Sequence, residues 1–168
     1  IYTGANQPES TSAGVRYPSV NQSILNGIEL GSNFLMYYGH GGPRSWAQER
    51  IITAEELGTL SNFNAAFSRL PIVTTVTCDF TIWDLPQYNS AGEAMLKNTN
   101  GGALSMITTN RPIGTGYGDE MNKFLIEEFF RKEGLENQTI GYALNQAKLK
   151  FSPTHPNHKS VSILGDPM

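Results

Sequence analysis

Leu70-Pro71-Ile72-Val73-Thr74-Thr75-Val76-Thr77, followed at once by Cys78-Asp79-Phe80, decides the architecture. From Ile72 to Thr77 every residue is β-branched, and such side chains fit a pleated strand better than a helix. Pro71 stands at the entrance, where a missing N–H does least harm to a sheet. A second run, Phe34-Leu35-Met36-Tyr37-Tyr38, is short, apolar and stopped by Gly39, as expected of a strand covered on both faces. A third strand is expected from Ala103 to Thr108, after Asn100-Gly101-Gly102.

Helical patterns lie between and after these runs. Val20, Ile24, Leu25, Ile28 and Leu30 fall near one face of a helix that Ser19 would cap and Gly31 would end. Thr53-Ala54-Glu55-Glu56 and Ser90-Ala91-Gly92-Glu93 both have capping-box spacing, predicting helix starts at these points. The first of these helices ends by Leu60 and the second near Leu96. Two more are expected, from about Tyr117 to Arg131 and from Ile140 to Lys150. Gly4 to Pro18 reads as an exposed loop, with Ile1–Thr3 the tail of a strand before it. Helices alternating with strands, without Asn-Gly hairpin signals, indicate an α/β layer fold with a mainly parallel sheet.

The sequence has 168 residues, enough for one domain with a real core. Its net charge of -3 gives no electrostatic reason to expect nucleic acid as a partner. No apolar run approaches the roughly 20 residues of a spanning helix. The chain begins at Ile1 and carries no signal sequence, so it reads as a segment of a longer protein. A single cysteine excludes an internal disulfide and a thiolate-rich metal site. Asp84, Asp119 and Glu120 do not form an EF-hand loop, and no metal or other cofactor is implied. The G-x-S-x-G elbow and the P-loop are both missing, which argues against a serine hydrolase or a nucleotide enzyme.

The reactive side chains occupy matching places. His40 follows its strand by one glycine, and Cys78 follows its strand directly. If the two strands are parallel neighbours, both residues emerge at the carboxyl edge of the sheet, where open α/β sheets place ligands. A thiol becomes a good nucleophile when a base takes its proton, and an imidazole suits that work and the protonation of a leaving amine. Gly39, Gly41 and Gly42 around His40 let a substrate backbone approach and leave amides free for an oxyanion. The backbone N–H groups of Gly41 and Cys78 are the candidate oxyanion hole. Asp79 either orients substrate or caps a turn, the turn being the commoner use. Trp46 and Trp83 flank the cleft in sequence and could line subsites or pack in the core. His155 and His158 lie in a Pro- and Asn-rich stretch that reads as a solvated loop.

Tyr38-Gly39-His40-Gly41-Gly42 with Trp46-Ala47 resembles the histidine motif of the gingipain-type cysteine peptidases, and Thr77-Cys78-Asp79-Phe80 resembles their nucleophile motif. Gly101-Gly102-Ala103 with Thr108-Thr109 resembles the next strand and the loop bordering the specificity pocket. Leu164-Gly165-Asp166-Pro167 resembles the segment closing the catalytic domain. The similarity runs in order along essentially the whole chain. Within the family it is nearest to the surface peptidases of type IX secretion, on the Gly-His-Gly-Gly-Pro, Thr-Cys-Asp-Phe and Ser90-Ala91-Gly92-Glu93 runs.

The resemblance implies a caspase-like three-layer α/β/α fold, with residues 1–168 forming the C-terminal half of the catalytic region. It also implies endopeptidase chemistry through a thioester on Cys78, with Thr109 and Asn110 beside the substrate. The implied substrates are proteins bearing a C-terminal sorting domain, released or transferred to a glycolipid amine at a Gram-negative outer surface. Outer-membrane secretion proteins would be partners. An acidic partner for the histidine and an acidic pocket residue are expected in the family's upstream half. Thr109-Asn110-Arg111 does not match the tryptophan-bearing loop of arginine-specific members, so arginine specificity is not implied. A degradative protease and a non-catalytic secretion scaffold are the competing readings.

Overall fold

The structure is a computed structural model, and it describes residues 6–12, 14–131 and 139–167. The strand tail expected at Ile1–Thr3 lies outside the described residues. In chain order the elements are β1 (Glu9–Thr11), β2 (Gly14–Arg16), α1 (Pro18–Leu30), β3 (Phe34–Tyr38), β4 (Gly41–Gly42), β5 (Ser45–Trp46), β6 (Ile52–Thr53) and α2 (Ala54–Leu57). They continue as β7 (Phe63–Asn64), β8 (Phe67–Ser68), β9 (Ile72–Val76), α3 (Ala91–Lys97), β10 (Ser105–Thr109), α4 (Thr115–Phe129), α5 (Ile140–Leu149) and β11 (Val161–Gly165). A 3₁₀ turn, Pro156–Ser160, leads into β11.

The central sheet has the order β11-β10-β9-β3. The three expected strands, β3, β9 and β10, run parallel, and β11 closes the far edge antiparallel to β10. Alternation along the strands sends side chains to two separate cores. Val73 of β9 and Met106 of β10 join α1, α2 and α3 through Ile28, Leu57 and Met95 on one face. Val76 and Ile107 join α4 and α5 through Met121, Leu125 and Leu144 on the other. The fold is therefore three-layered, with a mainly parallel sheet between two helical layers.

Both capping boxes form. Thr53 accepts from the Glu56 backbone while the Glu56 carboxylate accepts from the Thr53 N–H, and Ser90 and Glu93 repeat the arrangement. Gly31 ends α1 in the left-handed conformation, with φ at 101°. The start of α1 differs from expectation. Tyr17 is the cap, Pro18 opens the helix with φ already set, and Ser19 lies inside it. The stretch read as a plain loop before α1 contains the β1–β2 hairpin.

Candidate active site

The register of β3 on β9 fixes the geometry of the carboxyl edge. Phe34 pairs with Ile72 and Tyr38 with Val76, an offset that carries His40 onto Cys78 two residues beyond the last pair. Even-numbered residues of both strands face the α4 layer: Phe34 packs on Phe129, and Val76 joins the α4–α5 core. Carried past the strand ends, that parity turns His40 and Cys78 to the same side. Both line one cavity of about 310 Å³, together with Tyr38, Val76 and the Ile113–Thr115 segment that leads into α4.

Cys78 is half-buried and its Sγ lies 4.0 Å from the Ile113 carbonyl oxygen. His40 is exposed. No hydrogen bond joins the two side chains. The backbone beneath His40 is held firmly. Its carbonyl accepts from the Tyr37 hydroxyl at 2.7 Å and from the Ala47 N–H at 2.7 Å. Burial, and then the charge of Glu49, push Tyr37 up to about 12, so the phenol keeps the proton it donates.

Thr77 stitches the two halves of the site together. Its Oγ1 donates to the Gly39 carbonyl at 2.7 Å, directly linking the strand before Cys78 to the loop that carries His40. Thr109 donates in turn to the Thr77 carbonyl. Gly41 lies against the same threonine so closely that a Cβ there would sit 2.5 Å from Thr77 Oγ1. Sequence alone gives Thr77 strand propensity and a place in the Thr77-Cys78-Asp79-Phe80 motif, but not this anchoring contact. The signal is its place, one residue before Cys78.

Gly41 pairs with Trp46 across β4 and β5, and the adjoining Ala47 N–H bonds to the His40 carbonyl. In an antiparallel ladder hydrogen-bonded and non-hydrogen-bonded pairs alternate, so Gly41 belongs to a non-bonded pair and its N–H points away from β5. Gly41, the candidate oxyanion donor, is not itself among the residues lining the cavity that holds Cys78.

The remaining candidates are placed as follows. Trp46 is 2% exposed, stacks on Tyr37 with centroids 4.2 Å apart, and donates to Thr75 Oγ1. It is a core residue of the α1-side layer, because the β4–β5–β6 ribbon turns it inward. Trp83, by contrast, is 55% exposed. Asp79 adopts a left-handed turn with φ at 53°, and burial raises its pKa while nearby Arg111 lowers it. Arg111 itself is paired with the Asp84 carboxylate. Thr109 is fully buried as a backbone anchor, and Asn110 donates its backbone N–H to the Ser160 carbonyl. Neither side chain lines the cavity that holds Cys78.

His155 and His158 are not in a solvated loop. His155 stacks on Tyr117 at 4.5 Å, and the His158 ring pairs with the Ser152 carbonyl at 2.7 Å. They belong to an aromatic cluster with Phe151 on the α4 layer. Among the described residues, no three His, Cys, Asp or Glu side chains gather as a metal site would require. No helix among them is long and apolar enough to cross a membrane.

Solved structures share this architecture. A complex of the pro- and mature domains of RgpB from Porphyromonas gingivalis superposes with a TM-score of 0.73 at 17% identity, over 88% of this chain and 36% of that one. The arginine-specific cysteine proteinase gingipain R (RgpB) gives 0.68 at 20% identity, over 88% and 35%. A third structure, of a protease, gives 0.65 at 18%, over 84% and 36%. The chain thus spans little more than a third of the solved structures it matches. No curated protein matches the sequence at a significant level. A sequence profile described as peptidase family C25 covers residues 1–168. The chain belongs to that family of cysteine peptidases.

Proposed function

We propose that this chain carries the nucleophile and the acid–base residue of a cysteine endopeptidase. The observation supporting this most directly is that Cys78 and His40, at the same register position on adjacent parallel strands, line one cavity.

In this reading His40 takes the Cys78 proton and the sulfur attacks a peptide carbonyl carbon, forming a C–S bond. The carbonyl oxygen becomes an oxyanion that the Gly41 and Cys78 N–H groups hold. Collapse breaks the C–N bond, and the proton on His40 leaves with the amine. A thioester remains on Cys78. His40 then takes a proton from an incoming water or amine, the C–S bond breaks, and an acid or a new amide is released with the thiol restored.

The substrate reading rests on the resemblance of the dyad motifs to the type IX secretion peptidases. Substrates are secreted proteins with a C-terminal sorting domain, cleaved at the outer surface of a Gram-negative cell. An amine on a surface glycolipid is the acceptor. The test is to give the complete protein a sorting substrate with increasing concentrations of a small amine. Amine-capped product should rise with amine concentration, and Cys78→Ala should abolish capped and hydrolysed products together. Hydrolysis alone, even with the natural acceptor present, would leave a degradative peptidase. No turnover of any peptide would leave the scaffold reading.

A further inference from the structure

A left-handed backbone is uncommon outside glycine, and among the described residues the non-glycine cases are Ala47, Arg50 and Asp79. Two of them adjoin the site. Ala47 donates its N–H to the His40 carbonyl, and Asp79 follows Cys78 with φ at 53°. Conformations of this kind persist where the surrounding structure over-determines them.

The chain is anchored on both sides of Asp79. Before it, Thr77 Oγ1 donates to the Gly39 carbonyl, and the Thr77 carbonyl accepts from Thr109 Oγ1. After it, Phe80 is fully buried against Trp46, with ring centroids 5.5 Å apart, and its carbonyl accepts from the Gly92 N–H at 3.0 Å. Thr81, also fully buried, donates its N–H to the Thr109 carbonyl at 2.9 Å and shares a 2.8 Å hydrogen bond with the Thr108 hydroxyl. Gly92 comes so near that a Cβ on it would sit 2.0 Å from Thr81 Oγ1. Only Cys78 and Asp79 lie between these anchors. Returning Asp79 to a negative φ would rotate the Cys78–Asp79 peptide, and Cys78 would have to absorb the rotation. The Cα of Cys78 carries Sγ, and its N–H is half of the candidate oxyanion hole. Asp and Asn enter the left-handed region more readily than other side chains, and glycine enters it without steric cost.

We infer that Asp79 is a positioning residue: its left-handed turn, rather than its charge, sets the direction of the Cys78 sulfur and N–H for acylation. The inference rests on the peptidase reading above and adds what holds its nucleophile in place.

The test compares Asp79→Ala, Asp79→Gly and Asp79→Asn in the complete protein, with p-nitrophenyl acetate and iodoacetamide as probes. With the ester, Cys78 gives its proton to His40, sulfur bonds to the acetyl carbon, the C–O bond breaks and p-nitrophenolate leaves. Its release above the rate in Cys78→Ala reads acylation. With iodoacetamide, sulfur displaces iodide and no oxyanion forms, so that rate reads the thiol alone. Ala and Gly both remove the carboxylate, but only Gly takes the left-handed turn freely. Acylation in Asp79→Gly and in Asp79→Asn should exceed that in Asp79→Ala by on the order of 10-fold, since small displacements of reacting groups are costly. Alkylation should differ much less among the three. Equal acylation in all three variants would overturn the inference. So would a loss confined to the denaturant midpoint of Asp79→Ala, which is all that a merely structural turn would cost. Either result leaves the peptidase reading standing. Alkylation of Cys78 in the unsubstituted protein without any acylation by the ester would overturn both.

Discussion

Two groups of histidine in this molecule behave in opposite ways. The His40 ring stands exposed on a glycine loop at the carboxyl edge of the sheet, while its backbone is pinned by Tyr37 and Ala47. The rings of His155 and His158 are half-buried and spent: one stacks on Tyr117, and the other is bound to Ser152 and edges Phe151. A held backbone with a free ring suits proton transfer. A ring spent on stacking and hydrogen bonding suits packing. The contrast teaches that backbone constraint combined with side-chain freedom marks the site better than the presence of histidine does.

The comparison breaks first if the wrong histidine matters. His40→Ala should lower acylation of Cys78 by a factor on the order of 10²–10⁴, the usual scale for losing general acid–base help. His158→Ala should leave acylation within a few-fold and instead cost about 1–3 kcal/mol of stability, seen in denaturant unfolding. A large rate loss from His158→Ala at unchanged stability would contradict the division.

A smaller effect is expected where the two strands are stitched together. Thr77→Val keeps the shape but removes the donor to the Gly39 carbonyl, so the loop carrying His40 loses its link to the strand before Cys78. Single-turnover acylation should fall on the order of 10-fold, since small displacements of reacting groups are costly. Unchanged acylation would mean that β3 alone positions His40.

The smallest effect concerns the pinning of the His40 backbone. Tyr37 is held up to about 12 against an ordinary 10.0, by burial first and then by Glu49. The folded state thus favours the protonated phenol. Its contribution to stability is complete below the ordinary value and is lost as pH rises from there toward about 12. Tyr117, also raised to about 12 by burial, acts with the same sign. Tyr37→Phe should therefore flatten part of the alkaline loss of stability, measured by denaturant midpoints across that window. An identical slope in the variant would show that the phenol is not held in this way.

Much of this was legible in the sequence, for identifiable reasons. The β-branched run before Cys78 and the glycine-stopped run before His40 gave two strands whose ends match, and the capping boxes at Thr53 and Ser90 are local chemistry that no distant contact overrides. β11 was missed as a strand because Val161-Ser162-Ile163-Leu164-Gly165 is short and half-buried, and is defined by its antiparallel partner β10. Trp46 can be read as a subsite residue or, more readily, as packing, and the β4–β5–β6 ribbon that turns it onto Tyr37 makes it core. The aromatic setting of His155 and His158 depends on Tyr117 and Phe151, and Tyr117 lies on another element far away in sequence. Pairing across the sheet was readable from matched strand ends, whereas packing between layers was not.

The central claim is that Cys78 and His40 act as one unit, and the most direct measurement is the rate of Cys78 alkylation by iodoacetamide in the complete protein at mildly acidic pH. An imidazole sharing the cavity should make Cys78 react faster than a free small-molecule thiol, and His40→Ala should remove that advantage while His158→Ala keeps it. A rate equal to the free thiol and indifferent to His40→Ala would contradict the account.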